Sequence, residues 1–276
     1  MPNVELSHRQ RVSPFRKIAI GTWQDAYDPS IYGSMRLRMD EAQRYIDRFR
    51  EKTGRKLTVT HLVAKAVALA LKECPEANAV LRWNGVYQRK HIDVSVLVVM
   101  EHEGKKDLSS AKLERLDERS LSDVVDELEA RAAKIRARQD KALEGTRQSM
   151  RGVPGLFMNG LLKVLSFLLY TLNLDLRWAG LPKDALGSAV VTSIGSLGLD
   201  IGYVPLLPYA RVPILVAPGR IERVPVLEGD QVVPGHMMNL SATFDHRIID
   251  GSHAASLATT VRKVLERPFE HLEPLE

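Results

Sequence analysis

The residues of this chain best suited to moving a proton lie close together near its end, in the run Asp245-His246-Arg247-Ile248-Ile249-Asp250-Gly251. Imidazole has an unperturbed pKa near 6.5, which makes His246 a candidate general base. It stands at the end of a β-rich run, 238–245, directly before an Asp250-Gly251 turn. A strand end of this kind presents its side chain to a ligand crevice. Asp250, four residues on, can fold back to fix the loop or to pair with an arginine. A satisfied core histidine beside a plain turn has the same spacing, so the residues alone leave both readings open.

Other potential chemistry is weaker. His253 follows His246 by seven residues and His236 precedes it by ten, neither a metal-site spacing, so no metal is expected. The one cysteine, Cys74, ends an apolar run beside Pro75. It reads as a small buried residue, it allows no internal disulfide, and it fits a reducing compartment. Gly195, Gly198 and Gly202 open no recognisable helix, so a phosphate-cradling loop is poorly supported. Arg131, Lys134, Arg136, Arg138, Lys141, Arg147 and Arg151 form a solvated helix face or a dock for an acidic partner or a cofactor's phosphates. No aromatic residue interleaves them, which argues against single-stranded nucleic acid. The net charge of +5 suits an anionic ligand but is too diffuse to indicate nucleic acid.

The elements that must position these residues follow from pattern and punctuation. Residues 39–52 form a charged helix closed by Gly54. Thr58 or Thr60 caps a second helix to about Lys72, with Leu62, Val63, Ala66, Leu69 and Ala70 on one face. Residues 92–100, IDVSVLVVM, read as a strand buried on both faces. A long helix spans 120–144, from Ser120 or Ser122 to Gly145. Three strands follow at 188–194, 214–223 and 238–245, then a final amphipathic helix at 252–266. Helices and strands alternate without a βαβ rhythm, which favours an α/β two-layer sandwich with a mixed sheet over a doubly wound fold. Apolar (45%) and charged (26%) fractions are those of a soluble globular domain. MPNVELSHRQRV has no apolar signal core, so a cytoplasmic location is expected.

The stretch 153–174 is almost wholly apolar, yet Asn159, Lys163, Ser166, Tyr170 and Asn173 recur at steps of four, three, four and three. On a helix these five make one narrow polar stripe. A central lysine costs roughly 2.5–3.5 kcal/mol in a spanning helix, which disfavours insertion. Burial in a subunit interface is the favoured reading. A membrane-surface element, which would make the protein membrane-peripheral, is the next.

The run Leu240-Ser241-Ala242-Thr243-Phe244-Asp245-His246-Arg247-Ile248-Ile249-Asp250-Gly251 closely resembles the active-site segment of the acyltransferase component of 2-oxo acid dehydrogenase complexes. Several earlier segments are similar to that family in order: Arg16-Lys17-Ile18-Ala19, Leu57-Thr58-Val59-Thr60, Pro75-Glu76-Ala77-Asn78-Ala79, Ser196-Leu197-Gly198 and Gly219-Arg220-Ile221-Glu222. The resemblance implies a chloramphenicol-acetyltransferase-like fold and a homotrimer or larger assembly. Its active site would lie between subunits, with coenzyme A entering from one side and a dihydrolipoyl group from the other. His246 would deprotonate the attacking thiol, Asp250 would be its structural partner, and Arg16 and Gly251 would be structural near the site. The whole chain, 1–276, would be one catalytic domain with an apolar helical insertion near 152–178.

Two departures bear on activity. The family's Thr-Ile-Ser-x-Leu-Gly pattern carries an oxyanion-binding serine, but here Ser193-Ile194-Gly195-Ser196-Leu197-Gly198 places Gly195 at that position. If the run is a strand, Ser196 points to the opposite face, and Ser193 is about 6.6 Å away on the same face. The loss of one oxyanion donor costs about 10²–10³ in rate. The entry motif also lacks a second arginine near Gly21. No lipoyl domain, covalent lipoate or peripheral-subunit-binding domain is expected in this length. The acyl group would come from acyl-CoA or from a lipoyl domain or carrier protein in trans. A catalytically silent scaffold, or a membrane-peripheral acyltransferase with a lipid-like acceptor, is the alternative.

Overall fold

A computed structural model of the chain describes residues 2–9, 28–102, 105–137, 139 and 154–275. Arg16, the remainder of its motif and Gly21 lie outside these residues, as do Arg138, Lys141, Gly145, Arg147 and Arg151.

Among the described residues nine strands form two sheets: β1 Leu6–Arg9, β2 Ser30–Arg38, β3 Ala79–Arg82, β4 Gly85–Arg89, β5 Val94–His102, β6 Lys105–Leu113, β7 Ala189–Val191, β8 Ile214–Glu228 and β9 Gln231–Asp245. The larger sheet runs in the order β2-β9-β8-β7-β5-β6, and the smaller in the order β1-β4-β3. In the larger one β5, β7 and β8 are parallel neighbours and the other pairings are antiparallel, so the sheet is mixed as expected.

Side-chain alternation along the central strands builds two apolar layers. Ala189, Val191, Ile214 and Val216 face the main core, while Val190 and Leu215 pack with Leu186, Ala210 and Val212 on the other side. The main core is covered by helices. In α1, Asp40–Thr53, the residues Ala42, Tyr45, Ile46 and Phe49 recur at helical spacing and are buried, and Gly54 closes the helix with φ +69°. In α2, Val59–Glu73, Thr58 and His61 form a reciprocal cap. This helix is buried nearly all round rather than on the single expected face. Lys65 is enclosed with it and donates to the carbonyls of Leu116, Asp117 and Arg119. The helix α3, Leu121–Arg136, opens on a Ser120 cap as read from sequence, and the rest of the expected helix, from 140 to 144, lies outside the described residues. The family-like segments 57–60 and 75–79 thus lie in or beside the core, with Leu57, Ala77 and Ala79 buried in it.

Three expectations need correction. The strand expected at 188–194 is only Ala189–Val191, because the chain then leaves the sheet in a tight 3-10 turn, Gly195–Leu197. The strands expected at 214–223 and 238–245 belong to one long hairpin that continues to Glu228 and Gln231. Val99 of β5 is exposed, so that strand is buried on both faces only in its first half.

The apolar stretch forms α4, Gly155–Ser166, prolonged by a wider π-type turn, Phe167–Thr171. The far half of its polar stripe points inward. Ser166 and Tyr170 are buried, and Asn173 accepts from Val4 N–H at 2.7 Å while donating to Val4 O at 3.0 Å. Asn159 and Lys163 are exposed, and the apolar residues Leu156 (87% exposed), Phe157 and Val164 face outward. No helix among the described residues is long and apolar enough to cross a membrane.

Candidate active site

β9 ends at Asp245, and the next four residues make one compact turn. Asp245 N–H donates to Pro213 O at 2.9 Å and His246 N–H to Pro29 O at 3.0 Å, which fixes the turn between the ends of β8 and β2. Ile248 and Ile249 N–H both donate back to Asp245 O, and both side chains are buried in the main core. The turn is therefore held by backbone bonds and by two apolar anchors, and the half-buried His246 projects from a rigid support.

His246 Nδ1 lies 3.0 Å from Ile249 O. A carbonyl can only accept, so Nδ1 carries the hydrogen and the neutral ring holds its lone pair on Nε2. This bond orients the ring and selects the tautomer in which Nε2 is the unprotonated nitrogen. Arg247, the next residue, pairs bidentately with the buried Asp245 carboxylate at 2.9 and 2.7 Å.

Asp250 is the N-cap of α5, Gly251–Glu266. Its Oδ1 accepts from Ser252 N–H, His253 N–H and Ser252 Oγ–H, and lies 2.8 Å from His253 Nδ1. Asp250 fixes the start of this helix, and the nearby Arg247 pairs with Asp245. Gly251 opens that helix with empty space where a Cβ would stand, so its position makes no steric demand for glycine.

Ser193, Gly195 and Ser196 lie elsewhere. Ile194 N–H donates to Pro218 O, and Arg220 N–H to Leu199 O, which places this turn beside the middle of β8. Asp245 is bonded to Pro213, and the six β8 residues from there to Gly219 rise roughly 20 Å. One chain therefore does not bring His246 and the serine turn together. Because this segment is a turn, the strand argument about which way Ser193 and Ser196 point does not apply. Ser196 Oγ instead donates to Ser193 O at 2.8 Å.

Gly195 itself is a packing residue. A Cβ there would stand 2.5 Å from Gly219 C and 2.6 Å from Arg220 N, with Gly219 O nearer still. The turn and β8 touch backbone to backbone, which the residue type permits and a serine would not. Beside this turn Ser193, Ser196, Thr58 and Val98 line a cleft of about 550 Å³ whose charged residues are Lys56, Glu129 and Arg136. The other described members of the basic run, Arg131 and Lys134, lie on the same helix α3. Among the described residues no group of histidines, cysteines and acids could hold a metal ion, and Cys74 is buried.

The sequence matches the family described as "2-oxoacid dehydrogenases acyltransferase (catalytic domain)" over residues 5–150 and 182–273. The chain belongs to this family. The unmatched interval, 151–181, contains α4 and its π-type turn. Among curated relatives, the lipoamide acyltransferase component of a branched-chain alpha-keto acid dehydrogenase complex from Bacillus subtilis is 24% identical over 220 residues. That alignment covers 80% of this chain and 42% of the relative, and this chain spans less than half the length of the first curated relatives it matches. Among solved structures, the dihydrolipoamide acetyltransferase of Azotobacter vinelandii superposes with TM-score 0.65 at 20% identity, covering 97% of this chain and 93% of that one. That study concerns the roles of a serine, a histidine and an asparagine in its catalytic mechanism. Chloramphenicol acetyltransferase superposes with TM-score 0.50 at 13% identity, covering 94% of this chain and all of that one. The fold is the chloramphenicol-acetyltransferase-like α/β sandwich.

Two features were invisible in the sequence: the turn–strand contact at Gly195 and the left-handed backbone of Arg211 (φ +47°). The adjacent Gly219, part of the family-like Gly219-Arg220 run, was the one sequence signal of a close approach.

Proposed function

We propose that this protein is a CoA-dependent acyltransferase that exchanges an acyl group between coenzyme A and a dihydrolipoyl-like thiol. The observation that carries the reading is the His246 Nδ1–Ile249 O bond on a rigid strand-end turn, which makes Nε2 the basic nitrogen. Nε2 takes the proton from the attacking thiol, and the thiolate adds to the thioester carbonyl. The tetrahedral intermediate collapses, expelling the second thiolate, which recovers the proton from Nε2–H. The bond to Ile249 O supports the imidazolium while it exists. A general base of this kind contributes about 10²–10⁴ in rate.

The roughly 20 Å between His246 and the Ser193–Ser196 turn supports a homotrimer in which one subunit's histidine meets a neighbour's turn. There the oxyanion would be held by Ser193 or by backbone N–H groups, since Gly195 has no side chain and Ser196 is engaged with Ser193 O. Asp250 would hold the loop, in the place four residues after the base. The cleft with Lys56 and Arg136 at its edge suits the phosphates of coenzyme A. A lipoyl domain or carrier protein would present the acceptor in trans. Hydroxyl acceptors extend the same chemistry.

A silent scaffold of the same fold is the second reading, favoured by the closed packing at Gly195. Acyl transfer from acetyl-CoA to dihydrolipoamide, present in wild type and lost in His246→Ala, supports the enzyme. Equal inactivity of both proteins across acyl donors supports the scaffold. A single buried Cys74 fits a reducing, cytoplasmic location. The outward Leu156 and Phe157 support contact with a subunit or a membrane surface through α4.

A further inference from the structure

Behind the His246 turn lies a second cavity, of about 500 Å³, that the acyl-transfer chemistry does not use. Asp245, Arg247 and Ile248 line it, whereas the intervening His246 does not. Its far wall is Ser166 and Thr171 of the α4 segment, which lies outside the family match. The cavity is strongly cationic. Arg82, Arg211 and Arg247 line it against a single acid, Asp245, a net of +2, and that acid is already bidentate to Arg247.

Arg211 is the centre of this wall. Its guanidinium is half-buried and donates to Leu81 O at 2.9 Å, Ser166 Oγ at 3.2 Å and Thr171 Oγ1 at 2.7 Å, all neutral partners. Two of its five N–H donors remain for a ligand, one on each terminal nitrogen. Arg82 reaches the same Thr171 through its carbonyl, at 2.8 Å. Neither arginine has a carboxylate partner among the described residues. Burial, and then the like charge of Arg247, lower the Arg211 pKa, so the cation sits where an anion is missing. Enclosing an uncompensated charge is unfavourable and calls for a counter-charge.

Two turns bring these groups to the cavity. Trp83 and Asn84, φ +49° and +54°, are the two-residue loop of the β3–β4 hairpin, and Arg211, φ +47°, closes the short 3-10 helix Pro208–Ala210. Trp83, Leu81, Pro208 and Ile248 give the same space an apolar wall.

We propose that this cavity is a binding site for a small organic oxyanion, its carboxylate or phosphate head on Arg211 and Arg82 and its apolar part against Trp83 and Ile248. The site is distinct from the catalytic base and is built jointly by the family scaffold and the inserted helix. A ligand there bears on the Asp245–Arg247 pair that flanks His246, so occupancy reaches the active-site turn from behind.

Thermal unfolding and intrinsic fluorescence of the whole protein, in which Trp83 is one of three tryptophans, titrated with butyrate, acetate and inorganic phosphate at constant chloride, test this. Saturable binding is expected, raising Tm by roughly 5 °C or more at about 100 times Kd. Butyrate above acetate and phosphate identifies a carboxylate with an apolar tail. Phosphate above both identifies a phosphate-bearing ligand. Arg211→Met should weaken Kd about 10- to 100-fold. Because Arg211 also anchors the insertion, Asn84→Asp is the second variant. It places a carboxylate at a lining position whose φ of +54° aspartate tolerates, and should weaken binding by at least tenfold. Absence of saturable binding by any of the three anions, or affinity unchanged in Asn84→Asp, overturns the proposal. So does binding lost in His246→Ala, which would place the anion at the base itself.

Discussion

Installing the family's serine at position 195 should not repair an enzyme; it should damage a fold. A Cβ on Gly195 would begin 2.5 Å from Gly219 C and must reach about 3.4 Å before the contact is ordinary, a displacement of about 0.9 Å. Strand β8 cannot retreat by that amount. A Cβ on Gly219 itself would stand 2.8 Å from the backbone carbon of Asp200, with Asp200 O nearer, so the next layer is equally close. The clash is backbone against backbone, where no rotamer change relieves it. Overpacking of a tight interior costs typically about 1–3 kcal/mol, which for a chain of this size lowers Tm by roughly 3–10 °C. Gly195→Ala, with the same Cβ and no hydroxyl, should lose as much stability as Gly195→Ser. If the missing serine were merely an absent oxyanion donor, Gly195→Ser would instead raise acyl transfer by about 10²–10³. Thermal melts of both variants, with acetyl-CoA-to-dihydrolipoamide rates for Gly195→Ser, separate the two cases. A Gly195→Ser protein that melts within 1 °C of wild type and transfers acyl groups a hundredfold faster would refute the packing argument.

Four further outcomes are expected. His246→Ala should lower kcat by about 10²–10⁴ while leaving Tm nearly unchanged, since the turn is held by its own backbone bonds and by buried Ile248 and Ile249; a matching fall in Tm would recast His246 as structural. Asp250→Asn should keep both stability and rate, because asparagine caps as well as aspartate, whereas Asp250→Ala should cost about 1 kcal/mol in chemical denaturation; a loss of rate in Asp250→Asn at unchanged stability would give Asp250 a catalytic part. Stability should fall as pH drops from about 6.5 toward 4, because burial holds the His61 pKa down to about 4 and the unfolded chain takes up the proton first. The full effect is roughly 3 kcal/mol, and urea titrations should show it flattened in a folded His61→Gln variant; an unchanged pH slope would remove His61 as its source. Leu156→Ser with Phe157→Ser should change stability by no more than about 0.5 kcal/mol per site but reduce vesicle co-sedimentation or self-association; unchanged association in both assays would leave the outward face of α4 without that role.

Much of the scaffold could be read from residue order because its signals are local. Thr58 and Ser120 mark helix starts through their own side chains, and Gly54 marks an end through its left-handed φ. The hairpin beyond Arg223 was missed because its strands are largely exposed, show no clear apolar–polar alternation and carry Pro225 and Pro234, which pair opposite each other. Strand β2 was missed for a related reason: it is an edge strand with one fully buried residue, Leu37, in its interior pattern. For α4 the spacing gave the polar stripe but not its direction. Which side faces protein depends on Arg211 and Val4, partners 45 and 169 residues away. The His246 turn was legible because it is contiguous. The packing of the Ser193–Ser196 turn was not, because what decides it is the backbone of Gly219, a non-local neighbour.

The two halves of the proposed site differ in how they are built, and that difference bears on how activity would depend on assembly. The His246 turn is self-contained: Ile248, Ile249 and the bonds to Pro29 and Pro213 hold it within one chain. The serine turn is equally rigid, clamped to β8 by the Gly195–Gly219 contact and by bonds from Ile194 and Arg220. Neither half is loose enough to travel the roughly 20 Å between them. Assembly would then do no folding work at either half; it would only bring two finished surfaces into register. Because a misplacement near 1 Å is expensive in catalysis, a rigid histidine facing a rigid turn makes the subunit interface itself the adjustable part of the site. The inserted helix, anchored to Arg211 behind the His246 turn and apolar on its outer side, is the element of this chain best placed to set that register.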